Sequence, residues 1–190
     1  MSETSVETFE LIDQGLSAFG AKVHAVPAPA WSQPSPCTAW SVRDVVNHVV
    51  GEQLWVSHLL KGETIAQVGD RYDGDVVGDA PANAWDAASL AAGTAWRNGS
   101  PDQIVHLSFG DVPALEYAEQ MLVDLVVHGW DLARGAGLPD TIDPKAAEHV
   151  LGYLELHAED WRSGGAFGAA VDAGSSDPAV RLLALTGRRA

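Results

Sequence analysis

Apolar residues recur at steps of three and four along most of this chain, the spacing of helices that each bury one face. From about Thr4 to Val26, the positions Val6, Phe9, Leu11, Ile12, Leu16, Phe19 and Val23 predict an amphipathic helix, closed by the Val26-Pro-Ala-Pro run. Trp31 to Trp40 has Pro34 and Pro36 and no apolar period, so it reads as a loop whose two tryptophans fold over the core. Ser41 to Asp44 has the pattern of a capping box, and the helix it starts runs to about Lys61, before Gly62. Val42, Val45, Val46, Val49, Val56 and Leu60 make its inner face, while His48, Glu52, Trp55 and Leu59 form a second stripe at the edge of the core. A Gly- and Asp-rich loop covers Lys61 to Ala80, and an alanine-rich helix follows to Arg97 with Trp85, Leu90 and Trp96 inward. Ile104 to Phe109 alternates like a strand meeting a turn at Gly110 and Asp111, which predicts a small hairpin. A helix over about Pro144 to Trp161, with Val150, Leu151, Leu154 and Trp161 inward, and a short one from Pro178 to Leu185 end the pattern.

One stretch departs from the one-sided pattern. Glu116 to Arg134 is apolar on nearly every side, through Met121, Leu122, Val123, Leu125, Val126, Val127 and Trp130, which predicts a helix buried within a bundle. Inside it stand Asp124 and His128, one turn apart and on one face. A carboxylate there is costly unless it is paired, hydrogen-bonded or bound to a cation. If the helix carrying His48 faces this one, His48, Asp124 and His128 converge into a two-histidine, one-carboxylate set suited to zinc or another divalent ion, with positions left open for water or substrate. The plain alternative is that Asp124 and His128 are satisfied core groups. Glu52, one turn after His48, and Asp131, three residues after His128, are candidates to orient a ligating imidazole or to act as a base. A solvated edge carboxylate and a structural hydrogen bond are their plain alternatives. Trp55 and Trp130 can wall a cofactor or substrate pocket, or simply fill the core. Cys37 precedes a helix start, where a thiolate is favoured, but in its loop it also reads as a packed or capping residue.

Composition narrows the partners. Lys plus Arg number 11 against 26 Asp plus Glu, a net charge of −15, which argues against a nucleic-acid phosphate backbone or an anionic membrane as partner. No stretch approaches the roughly 18 apolar residues of a membrane span, and the N-terminal run from Met1 to Gln14 has acids where a signal peptide has basic residues. With a single cysteine, the expectation is a cytoplasmic protein acting on a small-molecule substrate. The 190 residues fit one domain, with 164–190 as an extension packed on it, and the alanine-rich bundle with its tryptophans leaves room for a homodimer.

The runs PSPCTAWSVRDVVNHVVG at 34–51 and VDLVVHGWDLARGAGLP at 123–139 resemble the two signature segments of the mycothiol-dependent maleylpyruvate isomerase metal-binding domain family, within the DinB-like superfamily. The resemblance spans nearly the whole chain, including the terminal RLLALTGR. It implies an all-α, DinB-like four-helix bundle with a small β-hairpin and a C-terminal extension. It also implies metal ligands at His48, Asp124 and His128, where isomerases of this kind carry Glu at the acid position, one methylene longer than Asp124. The function implied is a thiol transferase or isomerase in which a divalent metal, zinc or nickel, activates mycothiol or a similar thiol. A metal-dependent hydrolase and a non-enzymatic metal- or ligand-binding bundle are the alternatives.

Overall fold

The first apolar period becomes helix α1, Glu3–Ala25, in a computed structural model that describes residues 3–190 of the chain. Helix α2, Val42–Leu59, begins at the expected capping box: the Ser41 side chain accepts from the Asp44 backbone N–H while Asp44 accepts from the Ser41 backbone. Helix α4, Pro81–Asn98, has Pro at its first position, where a missing N–H costs nothing. Helix α5, Ala114–Ala136, stops at Gly137, whose φ of 69° is the left-handed conformation that glycine adopts without strain. Helix α1 packs on α4 and α5, and α2 packs on the same two, which closes a four-helix bundle.

Burial follows the sequence pattern with instructive exceptions. Almost every side of α5 is buried, including His128 and Asp131. On α4, however, Leu90 is 69% exposed, and the inner face is Trp85, Ala88, Ala92 and Trp96. Steps of three and four from Trp85 reach those residues, whereas a step of five turns Leu90 to the far side of the helix. The hairpin forms from β1, Ile104–Leu107, and β2, Gly110–Pro113, with Val105 opposite Val112. Its turn falls at Ser108 and Phe109, two residues before the expected Gly110 and Asp111.

The 61–80 segment holds a four-residue helix, α3, Ile65–Val68, started by a second capping box between Thr64 and Gln67. The segment then returns along α2. The Tyr72 hydroxyl lies 2.8 Å from His58 Nε2, the Asn47 amide donates to the Gly74 carbonyl at 2.9 Å, and Arg43 holds Asp75. A Gly-rich stretch that reads as a loop is thereby pinned at three levels of one helix.

By contacts the chain divides into two compact units, one ending at Asp140 and one from Thr141 to Ala190. The second consists of α6, Pro144–Ser163, packed with α7, Pro178–Leu185. Asp143 and Asp177 cap these helices, and Trp161 is half-buried, stacked on Phe167 at 5.1 Å, while Ala158 takes the buried place one turn before it. Among the described residues, no helix is long and apolar enough to cross a membrane.

Candidate metal centre

Packing of α2 against α5 brings His48 to the Asp124–His128 face. His48 Nε2 lies 3.0 Å from one Asp124 oxygen, and His128 Nε2 lies 3.5 Å from the other. One donor atom from each of the three residues falls within 4.8 Å of the others. The rings stand nearly edge to face, 5.0 Å apart at 79°. Two imidazole nitrogens and a carboxylate oxygen from facing helices form a donor set that fits zinc or a similar divalent ion.

Around these donors the environment is graded. The side chains of His48 and Asp124 are 29% and 19% exposed, so the cluster is reachable from solvent, whereas Asp131 is fully buried. Asp131 lies 2.9 Å from His128 Nδ1, where a ring N–H donates to it and leaves Nε2 facing Asp124. Asp131 is fully buried on the Nδ1 side of the ring, a position from which a carboxylate can orient the imidazole.

Burial pulls the His48 imidazolium down, but the charge and hydrogen bond of Asp124, with Glu52 beyond, outweigh it and hold the group at about 9. Burial and the nearby Asp124 charge push the Glu52 carboxyl up to about 7, against the pull of His48 and His128. The Tyr117 phenol, two turns before Asp124, is raised well above its usual range by burial and by the Glu52 and Asp124 charges. Its buried hydroxyl has no hydrogen-bond partner among the described residues.

The loop before α2 completes the site. Trp40 lies 4.9 Å from the His48 ring and 5.7 Å from the His128 ring. Cys37 joins His128 and Asp131 in a second set of donors within 4.8 Å of one another. The loop is held by Ser35, whose backbone N–H donates to the Trp40 carbonyl at 2.9 Å and whose hydroxyl does the same, and by the Trp40 N–H donating to the Cys37 carbonyl at 3.0 Å. Ala39, at φ 69°, turns left-handed to make this possible, a conformation unfavourable for a residue with a Cβ. Gly135 on α5 lets the loop approach: a Cβ there would meet Val42 Cγ2 at 2.9 Å and the Pro34 and Ser35 backbone at 3.2 Å.

Sequence reasoning therefore placed His48, Glu52, Asp124, His128 and Asp131 in one neighbourhood, and the packing of α2 on α5 unites them. Trp130 is instead buried with Arg134 over its ring at 5.2 Å, and Trp55 meets Tyr72 at 5.9 Å. The indole seated on both imidazoles is that of Trp40, which the sequence marked only as part of a loop folding over the core. Its one signal was position: Trp40 directly precedes the cap of the helix that carries His48.

Residues 12–133 match the model of the mycothiol maleylpyruvate isomerase N-terminal domain. Two uncharacterized proteins, from two strains of Mycobacterium tuberculosis, are each 30% identical over 138 residues, covering 70% of this chain and 70% of their own. Among solved structures, the crystal structure of the mycothiol-dependent maleylpyruvate isomerase superposes with a TM-score of 0.65, and that of a histidine-to-alanine mutant of it with 0.68. Both are 20% identical, over 90% of this chain and 78% of theirs, a likeness of fold.

Proposed function

Because the chain belongs to the mycothiol maleylpyruvate isomerase N-terminal domain family, we propose that it is a metal-dependent enzyme of the thiol transferase or isomerase type. His48, Asp124 and His128 would hold the divalent ion, zinc by their donor chemistry and nickel as the second choice. Such an ion lowers the pKa of a bound thiol and holds it as a thiolate nucleophile. The thiol would be mycothiol or a similar low-molecular-weight thiol, and the second substrate a small electrophile.

The observation that carries this reading is the convergence of the three donors, with Asp131 fixing the second nitrogen of His128. The chain's own groups have definable tasks. Asp131 selects the tautomer that leaves His128 Nε2 as a donor atom. Glu52, which burial and Asp124 hold at about 7 before a cation binds, can as the carboxylate take the proton of an incoming thiol and return it to a product. Trp40 packs against both imidazoles and gives the site an aromatic wall. The cytoplasm, where low-molecular-weight thiols stay reduced, is the setting this chemistry needs.

Elemental analysis of untagged protein, with and without prior refilling with zinc, tests it against the His48→Ala/His128→Ala double variant. Near one metal per chain, lost in the double variant but kept in His24→Ala, whose histidine pairs with Asp86 on the surface, supports the site. Metal-dependent binding of mycothiol then supports the thiol role. A refilled native protein that holds no metal refutes the reading.

A further inference from the structure

Cys37 is the chain's only cysteine and stands outside the first donor set. Its sulfur falls within 4.8 Å of donor atoms of His128 and Asp131. The backbone around it is fixed on both sides: its N–H donates to the Ser35 hydroxyl at 3.2 Å and its carbonyl accepts from the Trp40 N–H at 3.0 Å. Gly135 brings that loop onto α5 next to Asp131, and Asp131 holds the Nδ1 edge of His128, away from the Nε2 that faces Asp124. A sulfur, a ring nitrogen and a carboxylate oxygen thus stand within 4.8 Å of one another, with Asp131 on the Nδ1 edge of the ring.

We propose that Cys37, His128 and Asp131 form a second cation seat, for a soft, thiophilic ion, which shares His128 with the first. A thiolate donor separates this seat chemically from the first set, which has only nitrogen and oxygen: soft ions such as Cu(I) or Cd(II) favour sulfur. The fit needs small movements. Donors around a zinc-sized tetrahedral ion lie about 3.3–3.6 Å apart, so donors within 4.8 Å of one another close by at most about 1.5 Å of side-chain rotation. The 2.9 Å contact between Asp131 and His128 opens slightly.

Sharing has a consequence. A neutral imidazole has one ring nitrogen with a lone pair and one with a proton. A cation on the Nδ1 edge takes that nitrogen's lone pair, the ring proton moves to Nε2, and the Cys37 thiol proton goes to solvent. His128 then no longer serves the first seat, so a soft ion bound at Cys37 switches the first seat off. The second seat stands without the proposed function; only this inhibitory consequence rests on it.

Cd(II) titration of the reduced full chain tests the seat, read by the ultraviolet thiolate-to-cadmium charge-transfer band. The expected result is a band saturating near one equivalent, absent in Cys37→Ser, kept in His48→Ala, and needing at least tenfold more Cd(II) in Asp131→Asn. Zinc content of Cys37→Ser stays at the native level. A band lost in His48→Ala assigns the thiolate to the first set and overturns the proposal, as does a Cys37→Ser variant that keeps it or an Asp131→Asn variant that binds as well as native protein. Should Asp131→Asn fail to fold, Cys37→Ser and His48→Ala decide alone. An intact cadmium band in a protein that binds no zinc would refute the proposed function and leave this seat standing.

Discussion

Loading the first seat must expel a proton, and the structure sets how strongly. Asp124 and Glu52 hold His48 at about 9 against the cost of its burial. At pH 7 the metal-free protein therefore carries this group about 99% as imidazolium. An imidazolium has no lone pair for a metal, so binding at pH 7 is weakened about a hundredfold, or about 3 kcal/mol, relative to pH above 9. The sign is fixed: raising the pH from 7 towards 9 strengthens binding about tenfold per unit, after which the gain stops. Glu52, at about 7, is half protonated at neutrality, and a nearby cation favours its ionised form. Zinc binding at pH 7 should therefore release about one proton from His48 and up to about half a proton from Glu52. Isothermal titration calorimetry in buffers of different ionisation enthalpy measures that number, and competition with a chelator gives the affinity at each pH. No net proton release at pH 7, with an affinity flat from about pH 7 to 9, would refute the linkage.

Two further outcomes follow from the supports of the site. Asp131→Asn keeps the shape and an oxygen that accepts from His128 Nδ1, but removes the charge behind the ring; chelator competition should show zinc affinity reduced about tenfold, with little change in melting temperature. Gly135→Ala places a methyl group 2.9 Å from Val42 Cγ2 and 3.2 Å from the Pro34 and Ser35 backbone. Backbone cannot rotate aside, so thermal unfolding should report a loss of about 1–3 kcal/mol, and an unchanged melting curve would show that the loop is not seated as described.

Much of this protein is determined locally. The period of three and four, the Ser41–Asp44 capping box, the proline helix starts and the stop at Gly137 are encoded within a few residues each, and so the helices of the bundle are legible without a fold. The spacing of Asp124, His128 and Asp131 along one helix is likewise fixed by 3.6 residues per turn. The errors lie where local signals end: Leu90 looks like a core residue until the phase of α4 is set by what Trp85 and Trp96 pack against, and the α3 turn hides in a Gly- and Asp-rich segment.

The tertiary structure decided which of these faces meet. Whether His48 reaches Asp124, seventy-six positions later, depends on α2 docking against α5, and helix period says nothing about docking partners. Nor could the sequence place Trp40 on the two imidazoles or Cys37 beside Asp131, because both depend on an irregular loop. That loop is held by Ser35 hydrogen bonds, a left-handed Ala39 and the absence of a Cβ at Gly135. Contacts within a turn repeat with a fixed geometry and can be counted along the chain; contacts between distant segments exist only once the entropy of closing the chain has been offset by packing, and packing is a property of the whole bundle.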